Sequence, residues 1–193
     1  MTMDLSRSQR LGLLLAATLQ TLAIVWMVWG RVSLLASGRE IVTEVIPVDP
    51  RDIFRGDYVV LGYGFSSGAE IALPEGVRKG DAVYATLKAA GPSKWELSSV
   101  ADTYPGTVAG DEVVLKGRVD YVRDNALEGR TGTAGRLRYG IESYFVPEGT
   151  GLVLEEQVRD KRIEAVLAVG SGGDVAIKGL KGDGKLISQE PAR

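Results

Sequence analysis

The chain has 193 residues, room for one domain of ordinary size plus an appendage. Its 45% hydrophobic and 25% charged content is that of an average globular protein, while 25 glycines weight it toward turns and strands. A net charge of -2 excludes a global nucleic-acid footprint, and the lack of Cys and His excludes disulfides, thiol and imidazole catalysis, and zinc sites built on those ligands. No cofactor and no metal site is expected.

The first strong signal is the run from Leu11 to Gly30, LGLLLAATLQTLAIVWMVWG, which holds no charge. As a helix rising 1.5 Å per residue it measures about 30 Å, the thickness of a bilayer's hydrocarbon layer. Trp26 and Trp29 suit an interfacial anchor, and Thr18, Gln20 and Thr21 are polar interruptions that a membrane helix tolerates. A cleaved leader, with Ala36, Ser37 and Gly38 near the cut, would have a shorter apolar core, of about 7 to 15 residues. A retained single-pass anchor over 11–30 is therefore expected, between a cytoplasmic stub at 1–10 and a linker at 31–38. Basic residues near the two ends almost balance, Arg7 and Arg10 against Arg31 and Arg39. The short stub and the long remainder favour placement in the inner membrane with the bulk outside the cytoplasm.

From residue 39 to 188 the pattern alternates with period two, which predicts one mainly β domain, a barrel or sandwich, with one short helix. In Val45–Tyr63 a turn at Asp49-Pro50-Arg51-Asp52 leads to a strand. Asp57, Val59, Leu61 and Tyr63 lie on one side of that strand, Tyr58, Val60 and Gly62 on the other. Bulk on both sides predicts a strand covered on both faces. Val83, Ala85 and Leu87 are expected to form a hairpin with Trp95 and Leu97 across Gly91-Pro92. Val113 to Val122 reads as a half-wet strand, with Lys116, Arg118 and Asp120 facing solvent. The glycine-rich segment 124–135 reads as an exposed loop.

Further on, Leu137, Tyr139 and Ile141 predict a buried face, opposite Arg136, Arg138, Glu142, Tyr144 and Glu148. That second face mixes Arg and Tyr as binding surfaces do, so Arg138, Glu142 and Tyr144 are candidate interface residues as well as plain solvated ones. Leu152–Lys161, with Thr150 as N-cap and Glu155 spaced four from Arg159, is the helix. Ile163, Ala165, Leu167 and Val169 predict another strand, and 189–193 a frayed tail. Gly-Asp precedes an apolar stretch at Gly56, Gly80, Gly110 and Gly173; the unequal spacing excludes a repeat architecture and fits a turn that launches a strand.

Gly56-Asp57-Tyr58-Val59-Val60-Leu61-Gly62-Tyr63 resembles the signature of the GDYXXLXY family, with Gly56, Asp57, Tyr58, Leu61 and Tyr63 at the named positions. Asp49-Pro50-Arg51-Asp52, Tyr139-Gly140-Ile141-Glu142 and Tyr144 to Gly149 are similar to family text as well. The resemblance implies a bacterial membrane-anchored protein of uncharacterised function, often encoded beside a multi-pass membrane protein. No catalytic residue comes with it.

Asp49, Arg51, Asp52, Arg55 and Asp57 form the densest cluster of charge, but their spacing does not match an EF-hand. Ser66 or Ser67 with Lys79 or Lys88 would be the material for a dyad that needs no histidine. The favoured expectation is an accessory module that docks to a multi-pass integral membrane protein and is not an enzyme; an anchored hydrolase and a ligand-binding envelope sensor are the alternatives. Oligomeric state is left open.

Overall fold

The computed structural model describes residues 6–47, 58–66, 70–124, 133–145, 163–182 and 184–189. Its one helix among these, α1, runs Arg7–Ser37 and is followed by strands β1 (Arg39–Pro47), β2 (Tyr58–Tyr63), β3 (Ile71–Leu73), β4 (Ala82–Ala89), β5 (Trp95–Ala101) and β6 (Glu112–Asp124). The remaining strands are β7 (Thr133–Arg138), β8 (Ser143–Phe145), β9 (Ile163–Val169), β10 (Val175–Gly182) and β11 (Lys185–Gln189).

A capping box opens α1: the Ser6 hydroxyl accepts from the Gln9 N–H and the Gln9 side chain accepts from the Ser6 N–H. The 31 residues make about 46 Å of helix, longer than the apolar run alone. Residues 31–37, expected as a linker, continue the helix, because Ser33, Leu34 and Leu35 carry no breaker and Leu35 is buried against the body. Only at Gly38, one residue before β1, does the backbone turn extended.

The strands form two antiparallel sheets, as the alternation predicts. The first has order β11-β10-β9-β1-β2-β8 and the second β3-β7-β6-β4-β5. The second curls until its outermost strands, β3 and β5, approach each other. One apolar core takes side chains from both: Ile41, Val45, Leu61, Tyr63, Leu167 and Leu180 from the first, and Val83, Leu87, Leu115, Val119 and Leu137 from the second. The sheets are also tied through polar groups. Lys116 N–H donates to the Gly173 carbonyl at 2.8 Å, Glu44 N–H to the Ser93 carbonyl at 2.8 Å, and the Trp95 indole N–H to the Val42 carbonyl at 2.9 Å.

The hairpin expected at 83–97 is β4–β5, paired Leu87↔Leu97 and Ala89↔Trp95. Val113, Leu115 and Val119 are buried and Lys116 and Arg118 exposed on β6, as the alternation requires. Each described Gly-Asp pair runs directly into a strand: β4 after Asp81, β6 after Asp111, and β10 after Asp174.

Further expectations are corrected. The alternation across 136–148 is not one strand: β7 ends at Arg138, a turn follows, and β8 belongs to the other sheet, so Tyr144 is buried instead of sharing a wet face with Arg138. The period-two pattern survives a change of sheet, and therefore could not reveal it. β9 is covered on both faces, with Val166 and Ala168 buried as well as Leu167, since the end of α1 rests on its Ala168 side while Leu167 faces the core. Asp124 and residues 133–135 of the expected loop are strand. Gln189, the first residue of the expected tail, is the last of β11, and residues 190–193 lie outside the described residues, as does the expected helix at Leu152–Lys161.

Candidate functional site

The second half of the Gly56–Tyr63 motif is structural. β2 lies between β1 and β8, pairing Val45↔Tyr63 on one side and Val60↔Ser143 on the other. Leu61 and Tyr63 point into the core, 1% and 0% exposed, so neither can be the interface residue expected from the sequence. The Tyr63 ring stacks on Phe65, with centroids 5.4 Å apart, and Phe65 meets Tyr139 edge-on at 5.7 Å. The Tyr63 hydroxyl donates to the Ile141 carbonyl at 2.7 Å, and the Leu61 N–H to the Glu142 carbonyl at 2.9 Å. The motif strand thus holds the crossover that carries the chain from β7 in one sheet to β8 in the other.

Glu142 completes this lock. Its carboxylate accepts the N–H of Tyr139 at 2.6 Å and of Gly140 at 2.9 Å, both within its own turn. It is not an outward-facing contact residue. Burial, with the Glu142 charge as a smaller contribution, pushes the hydroxyls of Tyr63 and Tyr139 far above the ordinary tyrosine range. The folded-state values are raised, so the stability they contribute is fully present below about pH 10, where unfolded tyrosine titrates, and drains away as pH rises further. Alkaline titration should show Tyr63 and Tyr139 ionising only as the β signal in circular dichroism is lost. Ionisation of all seven tyrosines near pH 10 in a protein that keeps that signal would contradict this.

A groove bordered by described residues lies elsewhere, where α1 meets the body, with a volume of about 850 Å³. Met27, Gly30, Leu34 and Ser37 of the helix form one wall. Tyr104 and Val108, the start of β6, and the 169–174 turn form the other. Arg31, Arg39, Glu112 and Asp174 bring both charge signs to it.

The junction behind the groove is tightly tied. Arg39 donates to the carbonyls of Glu112 and Gly110, each at 2.7 Å, fastening the residue after the helix cap to the second sheet. The Gly38 N–H closes on the Leu34 carbonyl at 2.9 Å, and a Cβ at Gly38 would fall 2.5 Å from that oxygen and 3.2 Å from the Ala168 Cβ. The absent side chain is what lets helix and sheet approach. Lys178 pairs with Glu40 at the start of β1.

The other expected residues fall apart spatially or lie outside the description. Asp49, Arg51, Asp52, Arg55, Gly56 and Asp57 are not among the described residues, and Tyr58 is described in its backbone alone, paired with Phe145. Arg138 is exposed on β7 and pairs with Asp120 at 3.3 Å. The Ser66 hydroxyl turns to the Tyr63 carbonyl, while Lys79 is exposed and Lys88 lies 3.7 Å from Asp111, so Ser66 is not drawn into a dyad with either lysine; Ser67 lies outside the described residues. Sequence reasoning missed the groove completely. Met27, Gly30 and Leu34 recur at helical spacing, but nothing in the sequence indicates which side of α1 the body approaches.

No curated protein and no solved structure matches the chain. The sequence model of the GDYXXLXY protein family matches residues 20–180, a span that takes in the second half of the apolar run, the motif strand, the crossover locked by Glu142 and nearly all of the two-sheet body. The chain belongs to the GDYXXLXY protein family.

Proposed function

We propose that this protein is an accessory module of the bacterial envelope, held in the inner membrane by α1 with its β body outside the cytoplasm, and that it docks to a multi-pass integral membrane protein. The observation that carries the reading is the groove at the helix–body junction. The helix is long and apolar enough to cross a membrane, none of its apolar stretch is buried, and Trp26 and Trp29 stand 82% and 72% exposed. About 20 of its residues suffice for the hydrocarbon, which puts Arg31 to Ser37, and with them the greater part of the groove's helical wall, at the level of the headgroups. A surface at that depth, fixed to the membrane without a flexible spacer, suits the rim of another membrane protein, and shared anchorage raises the effective concentration so that a modest interface suffices.

Retention of the helix draws support from the same place. A cut near Ala36 to Gly38 would remove a helix whose Leu35 is buried against the body and whose last turn is closed by the Gly38 N–H.

Purification in mild detergent from native membranes should recover a stoichiometric second integral membrane protein. Ser171→Trp, which fills the groove from an exposed turn, should release that protein while leaving the melting temperature unchanged. Recovery of the chain alone, or full retention of the partner by Ser171→Trp, would overturn the reading, as would release of the intact chain from membranes by alkaline carbonate.

A further inference from the structure

The middle of α1 holds a group that hydrocarbon cannot satisfy. The Thr18 and Thr21 hydroxyls are absorbed by the helix itself, donating to the carbonyls of Leu14 at 2.8 Å and Ala17 at 2.9 Å. Gln20 lies at the centre of the run from Leu11 to Gly30, and no described residue bonds its carboxamide. Water is absent at that depth, and an amide left without partners there is costly.

Gln20 also sits on a particular face. Stepping three or four residues at a time leads from Gln20 through Ala23, Met27 and Gly30 to Leu34, and the last three of these line the groove. Trp29 and Leu22 lie on the opposite side, exposed as lipid-facing residues would be. The lone polar amide and the groove are therefore parts of one continuous surface.

We infer that this face of α1 is covered by a transmembrane helix of the integral membrane partner, which offers a hydrogen-bonding side chain to Gln20 at mid-membrane and ends in the groove beside Leu34. The inference rests on the docking reading and names the chemistry of its partner. Ala23 and Gly30 leave room for a close helix approach, and a carboxamide both donates and accepts, so a hydroxyl, a second amide or a carboxyl satisfies it. A second copy of this chain fits less well. Its helix would run straight into its own body at the groove, since a single residue separates α1 from β1, whereas a span of a multi-pass protein can turn back at the surface.

The full chain in native membranes provides the test. A benzophenone amino acid is placed in turn at Ala23 on the Gln20 face, at Leu22 on the opposite face, and at Tyr104 in the groove, and irradiated. The expected result is an adduct to one integral membrane protein from positions 23 and 104 and none from 22. Gln20→Leu should cut the yield at 23 about tenfold and Gln20→Asn should restore most of it, as loss and rescue of an interhelical hydrogen bond require. An adduct from 104 without one from 23, or a yield at 23 indifferent to Gln20→Leu, overturns this inference and leaves the docking reading standing. A self-adduct of twice 20.6 kDa from 23 also overturns it, in favour of a homodimer. No adduct from either 23 or 104 removes both.

Discussion

Tyr63→Ala is expected to destabilise the body by about 3–5 kcal/mol, the range for emptying a buried aromatic site. Two losses add up at this position. The ring is fully buried and stacked on Phe65, so its removal leaves a cavity between two sheets that β2 cannot close, being paired on both edges. The hydroxyl is also the donor for the Ile141 carbonyl, inside the crossover. Tyr63→Phe separates the terms: it keeps the ring and should cost about 1–3 kcal/mol for a buried acceptor left unpaired. Tyr139 provides an internal contrast. Its hydroxyl is buried too, yet has no partner among the described residues, so Tyr139→Phe should be neutral or slightly stabilising. Denaturant melts of the three variants in detergent decide the matter. Equal effects of the two Tyr→Phe changes would show that the Ile141 bond contributes nothing.

The second large effect is expected at Glu142. Glu142→Ala removes the acceptor for two N–H groups of its own turn, each bonded to a charged oxygen, and should cost about 2–3 kcal/mol after allowance for partial solvent access. The damage should be local. The Glu142 main-chain carbonyl, which accepts from Leu61, is unaltered, so β2 keeps that bond while the 139–142 turn loosens. Hydrogen exchange should therefore quicken at the Tyr139 and Gly140 amides far more than at Leu61. Glu142→Gln retains an acceptor oxygen and should recover about half of the loss. Uniform acceleration across both sheets would mean that Glu142 supports the whole fold and not the crossover.

These two residues show how the signature divides. Leu61 and Tyr63 read in the sequence as one side of a strand with apolar cover, and that is where they lie. Read as interface residues they were misplaced, because both fall on the face of β2 that packs into the core shared by the two sheets. Glu142 and Tyr144 were grouped with Arg138 by alternation alone. The turn at Gly140 separates them from Arg138: Glu142 stays in the turn and locks it, and Tyr144 is buried in the other sheet.

The sequence by itself determined the apolar helix, the strand-rich body behind it, the β4–β5 hairpin, the wet face of β6 and the family. These depend on periodicity, turn chemistry and local composition, all of which are written within a dozen residues. Only the tertiary structure decided that β2 and the 139–142 crossover hold each other, that α1 enters β1 without a spacer, and that Met27 to Ser37 form one wall of a groove whose other wall comes from residues 104–114 and 169–174. Each of those facts joins segments distant in the chain, and they were settled by which apolar faces could be buried together, a choice that no local pattern records.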